Sequence, residues 1–436
     1  MSELKAGFAR LDITPKLGIT LAGYPRTRYA DGVLDPLTAS VVVFDDGINR
    51  VLIYAIDHLG FSVSIADRMR ETVAQVAETD PDAVYVSCSH THLAPRTWGT
   101  ENADYIDFVV DRMKDAAVLA IADLKPATLS YTNALVPGVS FIRRFRMKDG
   151  SCRTNPGAQN PDIDHPLAEP DEEASLLIIK REDGPEIGIA HFQVHPDTIS
   201  GEKISADFMH FVRQKYEELV PNSRCMYLNG TQGDSNHVDV RFGYKNPMRT
   251  GYKRTRYMGE KIAMSLIANI PLARPLENTA VSYGSTVVAV KHNKAKNEQE
   301  LEEAKAIRAR FLEGGIDAVG PKSMGMLRTS LNAQAGRIVS LMDAPEYGNI
   351  RLGAVRVGDF AVVGFPGEPF TEVGRTVKRE ANTKLTMPTC CTNGWISYFP
   401  TQDAYEYGSY EGMSARYVEG SAEQLADGAV ELINRL

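Results

Sequence analysis

Four polar segments of the chain lie where a predicted buried strand stops, and each carries a side chain that can bind a metal ion. These segments are His90-Thr91-His92, His195, Glu368 and Tyr398. Sites in α/β proteins form at strand ends rather than at strand middles. The segments are spread over most of the chain, so their spacing alone does not define a metal motif.

The tripeptide His90-Thr91-His92 is the most informative of the four segments. In an extended backbone, residues i and i+2 point to the same side, so both imidazoles are expected to face one pocket. Two imidazoles repel each other when charged, and a divalent metal ion removes this repulsion by binding their neutral forms. The alternative is a pair of hydrogen-bonded, half-buried histidines without a metal.

Each of the other three residues also allows a purely structural role. His195 follows the apolar run Ile187–Val194 and is compatible with a hydrogen-bonded core histidine. Glu368 lies in the sequence Gly-Phe-Pro-Gly-Glu-Pro, whose sharp turn can raise a carboxylate into a cavity. An acid at this position can equally offset the dipole of a following helix. Tyr398, taken alone, is typical of a packing residue.

The elements that must position these residues alternate between strand and helix signals. Strands are predicted over residues 34–44, 50–56, 83–88, 174–180, 186–194, 224–228, 354–363 (as a strand pair) and 389–398. Helices are predicted over residues 63–77, 105–124, 207–219, 252–270, 294–314 and 368–380. The charged helix 294–314 is expected to be a solvated surface helix, and 147–171 a long irregular loop. No repeat or linker divides the chain, so residues 1–436 are expected to form one α/β domain.

Composition and charge narrow the functional class. The 436 residues carry 48 Lys and Arg against 56 Asp and Glu, a net charge of −8, which argues against general nucleic-acid binding. No apolar run is long enough to span a membrane, and the N-terminus has no secretory signal pattern. The five cysteines form no CxxC pair, as in proteins with reduced thiols. These features predict a cytoplasmic protein that binds neither nucleic acid nor membrane, and homo-oligomerisation is common for enzymes of this size.

Taken together, these segments and several others resemble the catalytic domain of the neutral/alkaline non-lysosomal ceramidase family. The matching segments are Gly7–Pro15, Gly23-Tyr24, Ser89–Pro95, His195-Pro196, Ser205–Asp207, Gln232–Asp234, Pro366–Glu368, Thr371, Gly374-Arg375, Ser397–Phe399 and Tyr410-Glu411. The resemblance implies a layered α/β/β/α sandwich of mixed sheets with helices outside. It also implies one zinc ion, with His92 beside the metal rather than on it. The implied ligands are His90, His195, Glu368 and Tyr398.

The chain departs from the family pattern in three respects. The family's catalytic serine falls at Asn236 when no gap is allowed, and Ser235 lies one position early. The family's substrate-contacting Asn-Arg pair corresponds to Ile142-Arg143. The chain also ends soon after the tyrosine segment, so the family's C-terminal immunoglobulin-like domain is expected to be missing. A small polar or anionic substrate is therefore expected instead of a long-chain sphingolipid.

The expected reaction is hydrolysis of an acyl carbonyl, with an amide favoured by the resemblance, by a water molecule that Zn²⁺ makes reactive. His92 is predicted to carry the proton between water and leaving group. Tyr398 is predicted to leave the metal or to donate to the oxyanion as charge builds. Arg143 is predicted to hold an anionic substrate group or the oxyanion.

Further polar residues are predicted around this pocket. Asp234, as a catalytic group, and Asn236 are expected to line it, and Ser235 to contact substrate, with a nucleophilic role as an alternative. Asp57 either orients a ligand imidazole or, as a loop acid, accepts hydrogen bonds from backbone amides. A basic cluster predicts a carboxylate, phosphate or sugar-acid substrate if it faces the metal, and is a solvated edge otherwise. The cluster consists of Arg143, Arg144, Arg146, Lys148 and Arg153.

Three other functions remain open on sequence grounds. An esterase or lactonase acting on a sugar- or acid-derived substrate would use the same attack by water. A zinc-binding homologue without catalysis is compatible with replacement of the family serine. A dimetal phosphoesterase would also suit the His-Thr-His segment and several aspartates.

Overall fold

The computed structural model describes residues 3–98 and 101–436. The strands, in chain order, are β1 (Lys5–Asp12), β2 (Thr20–Leu21), β3 (Arg28–Tyr29), β4 (Gly32–Val33), β5 (Thr38–Asp45), β6 (Arg50–Ile56), β7 (Val84–Cys88), β8 (Lys125–Leu135), β9 (Phe141–Ile142), β10 (Arg144–Met147), β11 (Cys152–Thr154), β12 (Ile163–Pro166), β13 (Glu173–Arg181), β14 (Glu186–Phe192), β15 (Lys203–Ile204), β16 (Ser223–Asn229), β17 (Ser235–Asn236), β18 (Arg274–Leu276), β19 (Val281–Lys291), β20 (Tyr347–Val357), β21 (Phe360–Gly364), β22 (Gly367–Pro369), β23 (Leu385–Thr389) and β24 (Ser397–Phe399). The α-helices are α1 (Val63–Ala77), α2 (Ala103–Ala122), α3 (Phe208–Leu219), α4 (Tyr252–Ala268), α5 (Glu298–Gly314), α6 (Ile316–Val319), α7 (Met326–Ser340), α8 (Thr371–Glu380), α9 (Asp403–Tyr407), α10 (Tyr410–Ser414) and α11 (Ser421–Arg435).

Two mixed sheets form the centre of the molecule. The larger sheet has the strand order β16-β14-β13-β8-β1-β5-β6-β7, and β18 also pairs with β8. Its pairs are antiparallel except for β14 with β16 and β6 with β7, which run parallel. The smaller sheet has the order β19-β20-β21-β23, in which β21 and β23 run parallel.

The strands of the larger sheet are buried on both faces. In β5, Val41 and Val43 pack toward α1 and α2, whereas Val42 and Phe44 belong to the core between the two sheets. Phe44 lies beside Phe360 of the smaller sheet, with ring centroids 6.5 Å apart. Because successive side chains of a strand point to opposite faces, such β-branched runs suit a sheet that is covered on both sides. Each buried valine or phenylalanine stabilises the fold by about 1.5–3 kcal/mol.

Helices cover the outer faces of both sheets. Helices α1 and α2 cover one half of the larger sheet, and α3 and α4 cover the other half. Helices α8 and α11 cover the smaller sheet. The arrangement is the α/β/β/α sandwich of mixed sheets that the resemblance implied.

The carboxyl ends of strands from both sheets meet at one edge of the sandwich. The backbone N–H of Cys88, at the end of β7, donates to the carbonyl of Cys391 at 3.2 Å. Cys391 in turn donates to the carbonyl of Gly367 at 2.8 Å, and Cys390 donates to Asn229 at the end of β16 at 3.2 Å. Residues that follow β7, β14, β21 and β23 are thereby brought to one place.

Several predicted elements were wrong in detail. The stretch 147–171 is not an irregular loop throughout, because β11 and β12 pair with β10 in a small sheet. The predicted helix 368–380 begins at Thr371, and the predicted strand 389–398 is two strands separated by a turn. Helices α6, α7, α9, α10 and α11 were not predicted. Across the described residues, none of the helices combines the length and the apolar character that a membrane span needs.

Candidate metal centre

His90 and His92 lie directly after β7, and their imidazole rings face each other with centroids 5.2 Å apart. The reason differs from the predicted one, because His90 has a left-handed backbone (φ 69°) and the segment is not extended. The backbone N–H of His90 donates to the carbonyl of His58 at 2.8 Å, which fixes the turn. The Nδ1 of His90 lies 2.7 Å from the carbonyl of Leu59, so it donates there and leaves Nε2 for the site.

His195 joins this pair from the end of β14. Its ring centroid lies 4.8 Å from that of His90, and its Nε2 lies 3.0 Å from the Nε2 of His92. Ligand nitrogens of the three histidines all lie within 4.8 Å of one another, and all three side chains are buried. Within residues 3–98 and 101–436, this is the one group of three or more such side chains with metal-site spacing. We call it the histidine cluster.

Glu368 adds a carboxylate to the histidine cluster from β22. Its Oε2 lies 3.3 Å from the Nε2 of His90 and 3.5 Å from the Nδ1 of His195. Its Oε1 accepts a hydrogen bond of 2.9 Å from the indole N–H of Trp395. Gly233, on a separate segment, packs closely against the backbone of Glu368. Only glycine fits at position 233, because a Cβ atom there would lie 2.5 Å from the carbonyl oxygen of Glu368.

Tyr398 lies beside Glu368 because β22 and β24 pair in parallel with these two residues in register. Its side chain lines the same cavity as His90, His92 and Glu368. Burial and the neighbouring Glu368 carboxylate raise the pKa of Tyr398 well above its usual value, so the phenol stays protonated. The structure thus brings the four implied ligands close together, with His92 beside them.

The protonation states of the site suit a divalent cation. Burial and the adjacent His90 lower the pKa of His92 to about 3. Burial and Arg143 lower the pKa of His195 well below its usual value. Burial opposes ionisation of Glu368, but His90 holds its pKa below the usual range. Burial opposes protonation of His90, but the Glu368 carboxylate raises its pKa above the usual value. The neutral imidazoles of His92 and His195 beside an ionised carboxylate are donors that zinc prefers. The Nδ1 of His92 is buried and has no hydrogen-bond partner among the described residues, and its Nε2 is the nitrogen that lies toward His195.

Arg143 lies beside the histidine cluster, with Nη1 3.5 Å from the Nδ1 of His195. Its Nε donates to Glu411 at 2.7 Å and its Nη2 to the carbonyl of Gly233 at 2.7 Å. The guanidinium also lies 5.5 Å from the centre of the Tyr398 ring. Because Glu411 neutralises Arg143, this arginine is better placed to fix the site than to bind a substrate anion.

The other predicted pocket residues make contacts outside the cavity lining. Arg144 donates to Asp403 at 2.8 Å. Asp234 accepts from the backbone N–H and the hydroxyl of Thr371, at the start of α8. It therefore anchors that helix rather than facing the histidine cluster.

Ser235 and Asn236 form the short strand β17, which pairs with β9. Ser235 donates to the carbonyl of Gln232 at 3.4 Å, and Asn236 donates to Asn155 at 2.8 Å. Both are buried outside the cavity lining. Asp57 does not orient an imidazole, since it binds the guanidinium of Arg213 through both oxygens at 2.8–2.9 Å.

The predicted basic cluster is mostly engaged elsewhere. Arg153 pairs with Asp149 at 3.2 Å, and Arg146 lies over the ring of Tyr407 at 3.9 Å. Arg144 is bound as described above. The cluster therefore does not face the histidine cluster as a unit, because local acids and one aromatic ring hold its members.

A cavity of 650 Å³ opens onto the histidine cluster. Both tryptophans of the chain line it, with the centroids of Trp98 and Trp395 5.7 Å apart. The contacts of Trp395 and Gln232 with Glu368 were not predicted from the sequence. The Nε2 of Gln232 lies 3.4 Å from the Oε2 of Glu368. For Trp395, the signal in the sequence was that the chain has only two tryptophans, which makes each a candidate site residue.

Comparison with known proteins supports the same fold. No protein-family model and no curated protein matches the chain. The solved structure of neutral ceramidase from Pseudomonas aeruginosa matches with a TM-score of 0.73 and 18% identity, over 100% of this chain and 75% of the other. A ceramidase complexed with C2 matches with a TM-score of 0.72 and 16% identity, over the same shares. The chain thus has a neutral ceramidase-like fold, which confirms the predicted fold class.

The hydrogen bond from Trp395 to Glu368 gives a direct prediction. Trp395→Phe removes the donor and frees the carboxylate to rotate, so zinc affinity is expected to fall about 10- to 100-fold. Competition against a chromogenic chelator measures this. Trp98→Phe is the matched control, because Trp98 lines the same cavity, whereas the indole that donates to Glu368 is that of Trp395. Equal zinc affinities in the two variants would contradict the role given to Trp395.

Proposed function

We propose that this protein is a zinc-dependent hydrolase that attacks the acyl carbonyl of a small amide substrate. The observation that carries the proposal is the convergence of His90, His92, His195 and Glu368 at a 650 Å³ cavity. Neutral ceramidase, as its name indicates, acts on ceramide, which is an N-acyl amide. The shared fold supports an amide as the bond that is broken.

The side chains around the cavity suit this reaction. When bound, Zn²⁺ supplies a water of lowered pKa and polarises a carbonyl oxygen. His90, His195 and Glu368 would hold the ion, and His92 offers a further nitrogen. Tyr398 carries a phenolic proton that it can donate to an oxygen on which negative charge develops. Arg143, held by Glu411, keeps the Tyr398 ring and His195 in place.

The role of His92 as proton carrier stays a prediction. With a pKa near 3 its ring is neutral at pH 7 and is only a weak base, since effective general bases have a pKa near the working pH. A neutral buried nitrogen is better suited to binding a cation. His92→Ala distinguishes the two roles, because loss of a ligand lowers zinc content, whereas loss of a proton carrier leaves one zinc per chain and changes the pH profile of hydrolysis.

A substrate screen tests the proposal. The purified protein, loaded with zinc, is assayed on short N-acyl amines, acyl sugars and lactones, then again after chelation and after zinc is restored. We expect N-acyl amines to be hydrolysed, activity to disappear on chelation, and zinc to restore it. Turnover of lactones or acyl sugars alone would identify an esterase or lactonase. One zinc per chain without turnover would identify a non-catalytic homologue, and two metal ions per chain would favour a phosphoesterase.

We also propose that residues 1–436 act as a single domain in the cytoplasm, on a small molecule and without nucleic acid or membrane. All five cysteines are free thiols, which supports a reducing compartment. Fractionation of the native protein tests the location.

A further inference from the structure

One wall of the cavity is built by the long connection between β19 and β20. This connection carries α5, α6 and α7, and α5 packs against α7 through the small apolar cluster of Ala304, Ala335 and Ile338. Arg308 and Phe311 of α5 line the cavity. The stretch 294–314, interpreted from sequence as a solvated surface helix, is therefore also part of the site. We call α5, α6 and α7 the helical wall.

Four arginines line the cavity, and three of them make only neutral contacts. Arg308 donates to the side-chain oxygen of Asn332 at 2.8 Å. Arg416 donates to the hydroxyl of Ser340 at 2.7 Å, and Arg337 to the backbone carbonyl of Asn293 at 2.6 Å. None of these three pairs with a carboxylate within 4.0 Å in the described part of the chain. The fourth, Arg96, lies 3.8 Å from Glu101.

The cavity is therefore strongly cationic in an otherwise acidic protein. Glu368 is the one carboxylate among the described lining residues, and the histidine cluster and Trp395 engage it. Arg337 is only 7% exposed, and its Nε is buried without a partner among the described residues. Burial lowers the pKa of Arg337, and the nearby Glu300 only partly offsets this. A buried cation that no carboxylate contacts directly is costly, so an anionic ligand in the cavity would be favoured.

We propose that the substrate carries an anionic oxygen group, a carboxylate or a phosphate, which Arg308, Arg337 and Arg416 bind while the scissile bond lies at the histidine cluster. Only the position of the scissile bond rests on the proposed hydrolase function; anion binding by the arginines does not. Guanidinium groups bind both carboxylate and phosphate through planar, bidentate hydrogen bonds. Trp98, Trp395 and Phe311 offer apolar surface for the rest of the molecule.

Binding of matched compounds tests the anion site independently of turnover. Zinc-free protein is titrated with N-acetyl-L-phenylalanine, with its neutral analogue N-acetyl-L-phenylalaninamide, and with N-acetylethanolamine phosphate against N-acetylethanolamine. We expect at least one anion to bind about tenfold more tightly than its neutral analogue, and the preference to weaken at high salt. Whichever pair shows the larger ratio identifies carboxylate or phosphate as the recognised group.

The double substitution Arg308→Gln with Arg416→Gln is expected to reduce this preference about tenfold. Arg310→Gln is the matched control, because Arg310 lies exposed on the same helix and does not line the cavity. Thermal unfolding shows whether each variant folds. If the double variant does not fold, the salt dependence of anion binding by the unsubstituted protein still tests the proposal. Equal binding of charged and neutral compounds, or a preference that persists in the folded double variant, would overturn it.

Turnover of the same compounds with zinc separates this inference from the hydrolase proposal. Hydrolysis without preference for the anionic member supports the hydrolase and contradicts the anion site. Anion binding that the double variant loses, in a protein that hydrolyses none of these amides or those in the screen, supports the anion site and contradicts the hydrolase.

Discussion

Glu368→Gln is expected to abolish stoichiometric zinc binding and to lower hydrolysis at least about 10³-fold. The substitution keeps the shape of the side chain but removes the negative charge that lies against both His90 and His195. Zinc contributes several kcal/mol of transition-state stabilisation as a Lewis acid, and 10³-fold corresponds to about 4 kcal/mol. Zinc content by elemental analysis and kcat/KM on the best amide of the screen measure both effects.

The matched control is Glu372→Gln, an acid on the first turn of α8 whose side chain is 53% exposed. It is expected to retain one zinc per chain and full activity. If the Glu368 variant also keeps one tightly bound zinc, the carboxylate is not a ligand and the assignment of the centre is wrong.

Arg213→Met is expected to destabilise the protein by about 3–5 kcal/mol, because it leaves the carboxylate of Asp57 buried without its counter-charge. The two side chains are 7% and 2% exposed and are joined by two hydrogen bonds. Asp57 also accepts from the backbone N–H and hydroxyl of Thr38, so it cannot turn toward solvent without breaking these contacts. Urea unfolding gives the change in free energy of unfolding.

Adding Asp57→Asn to Arg213→Met is expected to recover part of the lost stability, since the uncompensated charge is then removed. Arg256→Met, at an exposed pair with Glu260, is expected to leave the unfolding midpoint nearly unchanged. A double variant no more stable than Arg213→Met would show that lost packing, rather than buried charge, causes the effect.

The sequence predicted the fold and the residues of the histidine cluster where local signals coincide with tertiary placement. Buried β-branched strands such as β5 and β6 have no polar face, which requires cover on both sides, as in the sandwich observed. His90, His195 and Glu368 each follow such a strand, so the predicted strand ends identified them as candidate site residues. The extended geometry assumed for the His-Thr-His segment was nevertheless wrong, because hydrogen bonding to His58 imposes a left-handed residue that no local pattern shows.

Roles that depend on distant partners could not be predicted. Arg144 and Asp57 look like free charges in the sequence, but Asp403 and Arg213, far along the chain, bind them. Conversely, Arg308 belongs to a charged helical pattern that normally indicates a solvated face. Its place in the cavity follows from how α5 packs on α7 through a small apolar cluster.

The histidine cluster and the helical wall come from different parts of the chain. The atoms that would handle the metal come from strand ends rooted in the double-sheet core, whereas the helical wall leaves β19 and returns at β20 as one self-contained excursion. Such an excursion can be exchanged, shortened or redesigned without breaking any strand pairing around the histidines. We expect substitutions within residues 292–346 to alter ligand preference through lining residues such as Arg308 and Arg337, which makes that stretch a suitable target for a directed-evolution library.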